Sequence, residues 1–230
     1  MTGTGKLSLM FARFRNSASS QPFMHYFDQA FKTTLWETIA DIENHSLVEL
    51  VVVVKSRSER YADIPFLWGS ALAFITFTFM MFAPIVFGDY ALYIAPIIAF
   101  FIGLLSARLF PPAQWLLISK KRRRRSVEIM ARAFFQKGGL RHTQEKIGIL
   151  IYCSLFEQMV YLLPDRGAEM AIPAEEWEQI TQGFQQIFQE RNPAQALLTH
   201  LTTCQPVFSR YIPPVDHDIN ELPDDVEIDL

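Results

Sequence analysis

The chain has 230 residues, a formal net charge of −3 and a hydrophobic content of 50%. This length allows one or two domains. The hydrophobic share is near the globular average, so composition alone does not identify a membrane protein, and the positions of the apolar residues must decide. The net charge by itself indicates no partner, because the charges are unevenly distributed: residues 120–125 form a basic run and residues 216–230 an acidic tail.

The N-terminal part of the chain, residues 1–25, is expected to be a flexible cytoplasmic lead, because it has no apolar core of signal-peptide length. A helix is predicted over residues 26–44, where apolar side chains recur at the spacing of one helical face. The run Glu-Leu-Val-Val-Val-Val-Lys, residues 49–55, is typical of a strand that is buried on both faces.

Two apolar segments follow, residues 66–87 and residues 91–110, and a spanning helix requires about 20 such residues. Only Gly88, Asp89 and Tyr90 connect them, so an antiparallel hairpin is predicted. Burying both helices inside a soluble protein would need more chain than remains, so we favour a membrane hairpin. Basic residues flank the hairpin and are absent from its connection, which places both termini and the flanking domain in the cytoplasm, at the plasma or inner membrane.

The basic run after the second segment is predicted to contact anionic headgroups of the bilayer. It consists of Lys120, Lys121, Arg122, Arg123, Arg124 and Arg125. Nucleic acid is disfavoured as a partner, because single-strand binders place aromatic residues among the charges and this run has none. The predicted partners are therefore the lipid bilayer and either another membrane protein or a second copy of this chain.

The rest of the chain alternates between helix and strand. A helix over residues 126–136 precedes two buried strands, residues 147–153 and 158–163, which are close enough in sequence for a hairpin. Two more helices begin at Pro173 and Asn192, residue types that suit a helix start. The acidic tail that follows is expected to be extended or loosely docked.

One strand before the apolar hairpin would have an unpaired buried edge, so both halves of the chain are predicted to close a single sheet. The predicted fold is α/β, with a small mixed sheet that is flanked by helices and interrupted by the transmembrane hairpin. The expected organisation is one discontinuous cytoplasmic domain of residues 26–64 and 119–215, with residues 65–118 as the hairpin and residues 216–230 as the tail.

Short motifs occur in a distinctive order: Tyr61-Ala-Asp63 before the hairpin, then Glu157, Asp165-Arg-Gly167 and Glu176-Trp177 after it. In this order they resemble the TPM domain family, whose relatives include thylakoid-lumen proteins of photosystem repair, and especially its small bacterial membrane branch with a transmembrane insertion. The resemblance implies a compact α/β sandwich. It also implies calcium binding, phosphatase activity or an accessory role in assembling membrane complexes, as in different relatives.

The chain departs from the family pattern before the second strand, where Glu145-Lys-Ile-Gly148 replaces a frequent Asn-Gly or Thr-Gly pair. This departure weakens the carry-over of metal binding and catalysis. From the residues, Glu49, Glu157 and Asp165 lie near strand ends and are candidate ligands for calcium or another divalent cation, which prefers oxygen ligands. The alternative, which we favour, is that Glu157 and Asp165 make local hydrogen bonds in turns.

No catalytic residue is identified from the sequence, because the five histidines are scattered without metal-ligand spacing. Cys153 and Cys204 are predicted to be free, reduced thiols in the core. We favour a non-enzymatic accessory, scaffold or assembly factor for a membrane complex. The alternative is a divalent-cation-dependent, membrane-bound phosphatase that hydrolyses phosphomonoesters. A transporter is less favoured, because the apolar segments have no central ionisable residue.

Overall fold

The computed structural model describes residues 23–109, 111–137, 147–214 and 226–229. The chain divides into two compact units, of which one is inserted into the other. The inserted unit covers residues 59–122, and the α/β unit comprises residues 23–58 and the chain from residue 123 onward. The predicted fold class is confirmed: a mixed α/β fold with a small sheet flanked by helices, and two long apolar helices as a candidate hairpin.

The elements follow one another along the chain with the inserted unit between the first and second strands. The α/β unit begins with α1 (Gln29–Asn44) and β1 (Glu49–Lys55). The inserted unit contains α2 (Asp63–Phe82), α3 (Asp89–Leu109) and α4 (Pro111–Leu117). The chain then continues through α5 (Lys120–Lys137), β2 (Gly148–Ser154), β3 (Met159–Pro164), α6 (Arg166–Ala171), α7 (Ala174–Gln186), α8 (Pro193–Tyr211) and β4 (Val226–Asp229).

Helix α1 forms as its sequence pattern predicts. Asp28 caps its N-terminus by accepting a hydrogen bond from the backbone N–H of Phe31 at 2.9 Å. The residues that recur on its apolar stripe are all buried: Phe31, Leu35, Ile39 and Ile42. The stripe packs into the main core together with side chains of α7 and α8.

The sheet has the strand order β3-β2-β1-β4. Strands β1 and β2 pair in parallel, with Val52 opposite Ile151, so the two halves of the chain close one sheet as predicted. Strands β2 and β3 form the predicted antiparallel hairpin. Alternate residues of β1 serve two cores: Val52 faces the main core, and Val53 faces a smaller core covered by α5.

The end of the chain was expected to be extended or loosely docked, and residues 226–229 are extended as strand β4, which pairs in parallel with β1. The physical reason is that β1 has two edges and β2 covers only one of them. The Val-Glu-Ile-Asp sequence of β4 alternates apolar and polar residues, as a strand requires. Residues 215–225 of the tail, and residues 1–22 of the predicted lead, lie outside the described part of the chain.

In the inserted unit, α2 and α3 pack closely along their length. Gly69 and Gly103 permit the closest approach, because a Cβ atom on Gly103 would lie 2.8 Å from the Cα atom of Gly69. Helix α2 ends at Phe82, earlier than predicted, because Pro84 disfavours continuation of the helix. Both helices are long and apolar enough to cross a membrane, by length and composition.

Candidate functional site

A buried polar cluster lies at the end of the sheet where β2 turns into β3. Glu157 and Ser154 are both 0% exposed. The backbone N–H of Ser58 donates to both carboxylate oxygens of Glu157 at 3.2 Å, and the Ser154 hydroxyl donates to Glu157 Oε2. The Glu157 carboxylate therefore receives its hydrogen bonds from the protein itself and fixes the chain three residues after β1.

The hydroxyl groups extend this cluster towards the smaller core. Ser58 Oγ donates to Ser154 Oγ at 2.9 Å and lies 3.1 Å from the hydroxyl of Tyr152. Tyr152 is 0% exposed, and its burial raises the pKa of the phenol well above the ordinary value. The cluster thus contains one carboxylate, two serine hydroxyls and a phenol that stays protonated.

The three acids predicted as a metal site do not come together. Glu49 begins β1 opposite Gly148, and the backbone N–H of Asp165 donates to the Gly148 carbonyl at 2.7 Å, so these two acids share one end of the sheet. Glu157 follows the other end of β2, about 20 Å away, because a strand of this length rises about 3.3 Å per residue. The sequence analysis placed these acids near strand ends, and the structure puts Glu157 at one end of β2 and Glu49 and Asp165 at the other.

Among residues 23–109, 111–137, 147–214 and 226–229, no group of three His, Cys, Asp or Glu residues is placed to hold a metal ion. Asp165 has a local role, because its side chain accepts a hydrogen bond from Arg166 N at 2.7 Å at the start of α6. This is the turn role that its sequence position favours.

The two cysteines are free and buried, as predicted. Burial raises the pKa of the Cys153 thiol, and that of the Cys204 thiol rises to about 12. Both side chains belong to the main core of the α/β unit. They are therefore protonated at neutral pH and shielded from reagents while this unit is folded.

A second polar cluster lies at the base of the inserted unit. The guanidinium of Arg122 pairs with Asp63 through two hydrogen bonds, at 2.5 and 2.9 Å, and with Glu59 at 2.6 Å. It also lies 5.1 Å from the ring centre of Tyr61. The hydrogen bonds that Arg122 donates to Asp63 and then to Glu59 raise the pKa of its guanidinium. This bidentate arrangement joins the residues that enter α2 to the residue that leaves the unit.

The six cations of the basic run lie in the first turns of α5 and differ in exposure: two are ion-paired or buried, and four are exposed. Arg122 is engaged with Asp63 and Glu59, and Arg123 is only 7% exposed. Arg123 shares a helix face with the buried Val127, which explains why so little of its side chain is exposed. The remaining cations, which are all exposed, are Lys120, Lys121, Arg124 and Arg125.

These observations define a class of protein: a small α/β domain with a four-stranded sheet, into which a pair of long apolar helices is inserted. The family model of the TPM domain matches residues 115–205, from α4 into α8. The predicted resemblance to the TPM domain family is thus confirmed over this part of the chain. Helix α1 and strand β1 precede the insertion and lie outside the match.

The fold is also similar to a solved structure, the NMR structure of the BA42 protein from the psychrophilic bacterium Bizionia argentinensis. The two chains are 15% identical with a TM-score of 0.55, and the similarity covers 88% of this chain and 94% of that chain. At this identity the likeness is one of fold alone. No curated protein matches the chain.

Proposed function

We propose that this protein is an integral membrane protein whose TPM domain acts as a non-enzymatic accessory, scaffold or assembly factor for a membrane complex. The observation that carries the proposal is the exposure of the apolar helices. Only 22% of the apolar stretch of α2 and 11% of that of α3 are buried. Side chains such as Phe74, Phe82 and Phe101 are 71%, 85% and 62% exposed. The helices of a soluble core would be mostly buried, so hydrocarbon is the solvent that suits this surface.

The lengths of the two helices support the same conclusion. Helix α2 has 20 residues and α3 has 21 residues, so each is about 30 Å long, the thickness of a bilayer's hydrocarbon core. Pro96 inside α3 is tolerated in membrane helices, because neighbouring helices and local adjustments satisfy the freed carbonyl. The basic residues before α2 and after α3, against none in the connection, support a cytoplasmic location of both termini and the α/β unit.

The polar cluster around Glu157 supports a structural role over phosphate chemistry. A phosphatase must present its reactive groups to a substrate, whereas Glu157, Ser154 and Tyr152 are all 0% exposed. The donors to the Glu157 carboxylate come from Ser58, after β1, and Ser154, at the end of β2. The cluster therefore connects the ends of β1 and β2 by hydrogen bonds. The exposed surface of α2 and α3 is apolar, and exposed cations at residues 120, 121, 124 and 125 follow it in the chain, which suits lipid and membrane partners.

Topology is tested by thiol labelling in intact cells with a membrane-impermeant maleimide. Gly88→Cys places a thiol in open space at the hairpin connection, and Gln185→Cys places one on the exposed side of α7. The native cysteines are buried and give little background. We expect labelling at position 88 in intact cells and at position 185 only after permeabilisation. Extraction of the protein by alkaline carbonate, or the reverse labelling pattern, would overturn the proposal.

The accessory role is tested by a photo-crosslinking amino acid at Ile98 or Phe101, both exposed on α3. In native membranes we expect a discrete adduct with another membrane protein or with a second copy of the chain, and adducts with lipid alone would contradict a scaffold.

Enzyme activity is assayed with a generic phosphomonoester and calcium or magnesium, on wild type, Glu49→Gln and Asp165→Asn. Metal-dependent turnover that both variants lose would establish a phosphatase instead.

A further inference from the structure

Helix α4, which the sequence analysis did not anticipate, lies between the end of α3 and the basic run. We propose that α4, together with Lys120 and Lys121, forms an interfacial anchor that binds anionic lipid in the leaflet where α3 ends. The inference rests on the proposed function, because it requires α2 and α3 to span the bilayer. It adds a second, peripheral contact with the same membrane.

The position of α4 follows from the length of α3. Because α3 is about 30 Å long, its two ends lie at opposite interfaces of a bilayer. Helix α4 begins at Pro111, two residues after α3 ends at Leu109. The amide nitrogen of Gln114 donates to the Ala107 carbonyl at 2.7 Å, which satisfies one of the unpaired carbonyls at the end of α3. This bond holds α4 against the end of α3, at the level of the headgroups.

The exposed side chains that the structure describes in α4 are apolar. Gln114 and Ile118, one turn apart, are buried at 6% and 3% exposure. Leu116 and Leu117 are 63% and 46% exposed, where a helix facing water would carry polar residues. Leu109, at the end of α3, is 65% exposed. Exposed leucines therefore occur both at the end of the proposed transmembrane helix and on α4.

The charges next to this surface indicate lipid as its occupant. Lys120 and Lys121 are exposed and follow Leu117 by three and four residues. Interfacial segments combine leucine or tryptophan on the acyl side with lysine or arginine on the headgroup side, and Trp115 adds a half-buried aromatic ring here. Arg122 is held by Asp63 and Glu59, so within residues 120–122 the exposed positive charge comes from the two lysines.

The test uses the full-length chain in vesicles, with a bimane label at one introduced cysteine and quenching by lipid-attached nitroxides. Ile98→Cys, in the middle of α3, reports insertion of the hairpin, and Leu116→Cys reports the anchor. Met170→Cys, 76% exposed in the α/β unit, serves as the matched apolar control. We expect deep nitroxides to quench position 98 and shallow nitroxides to quench position 116, with position 170 quenched least.

The outcomes separate the two proposals. If position 98 is not quenched by any lipid nitroxide, the membrane function fails, and the anchor fails with it. If position 98 is quenched but position 116 remains as open to aqueous iodide as position 170, the anchor alone is overturned.

The role of anionic headgroups in binding is tested by replacing the two lysines. Each lysine near an anionic surface increases the binding constant about fivefold. The double variant Lys120→Gln with Lys121→Gln should therefore lower the ratio of membrane-bound to unbound α4 about 30-fold in phosphatidylglycerol vesicles. In phosphatidylcholine vesicles the double variant and the wild type should show equal quenching at position 116. The control with the same change of charge is Arg166→Gln with Arg191→Gln, both exposed, and it should leave this quenching unchanged. Equal quenching of wild type and lysine variant in both lipids would overturn the assignment to anionic headgroups.

Discussion

Removal of the Glu157 side chain should destabilise the α/β unit more than any surface change. In Glu157→Ala the Ser58 N–H and the Ser154 hydroxyl lose their acceptor in a region where Glu157 and Ser154 are 0% exposed. Each buried donor without an acceptor costs about 1–3 kcal/mol, and Glu157→Ala leaves two of them, which together cost about 3–5 kcal/mol. We therefore expect a loss of about 3–5 kcal/mol in the free energy of unfolding.

Glu157→Gln keeps the shape of the side chain but replaces one acceptor oxygen by a donor nitrogen. One of the two protein donors is then left facing an amide N–H, so we expect an intermediate loss of about 1–3 kcal/mol. For a chain of this size, 1 kcal/mol shifts Tm by about 2–4 °C, so Tm should fall by about 6–20 °C in Glu157→Ala and by about 2–12 °C in Glu157→Gln.

The buried cysteines provide an assay that is specific to the α/β unit. Cys153 and Cys204 react with a fluorogenic maleimide only when this unit opens, so thermal unfolding in detergent can be followed by their labelling. Glu37→Ala, on the exposed side of α1, is the control and should change Tm by less than about 2 °C. A Glu157→Ala protein with the Tm of the wild type would refute the view that this cluster fastens β1 to β2.

Three further predictions concern the helical pair, the base of the inserted unit and the thiols. Gly103→Ala puts a carbon 2.8 Å from the backbone of α2 and should cost about 1–3 kcal/mol in SDS titrations of the hairpin, whereas Gly88→Ala, with open space around it, should be neutral. Arg122→Gln should cost at most about 1 kcal/mol in thermal unfolding, because its ion pairs are partly exposed, and 1 M NaCl should abolish the difference from wild type. Stability should be constant up to about pH 8.5 and then fall by about 1.4 kcal/mol per pH unit for each thiol, because Cys153 and Cys204 hold their protons when folded and release them when unfolded. Circular dichroism from about pH 8 to about pH 9.5, below the ordinary pKa of the Tyr152 phenol, measures the slope, which Cys153→Ala should halve.

The strands and apolar helices were predictable because their signals are local. The valine run of β1 and the fully buried pattern of β2 are recognisable within seven residues each. The pairing of β1 with β2 followed from the unfavourable edge that each strand would otherwise expose. Helix α1 was predicted from its apolar stripe alone, and the stripe did not reveal that Asp28 caps the helix, which begins at Gln29 instead of residue 26.

The polar clusters were less predictable, because they depend on distant parts of the chain. Ser58 and Glu157 are 99 residues apart, and only the register of β1 against β2 brings them together. The ion pair of Arg122 with Asp63 had a usable signal: opposite charges flank the two ends of an antiparallel hairpin. Strand β4 had a weak signal, since it has four residues and lies within an acidic, proline-containing tail.

The parallel pairing of β1 with β2 has a consequence for how the protein is made. Strand β1 leaves the ribosome about 100 residues before its partner β2, a delay of about 5–20 s at ordinary rates of translation. During this interval a run of four consecutive valines has no neighbouring strand, while the two apolar helices are being synthesised. The nascent chain therefore passes through a stage in which a hydrophobic strand has two unpaired edges and is prone to aggregation, until synthesis reaches β2.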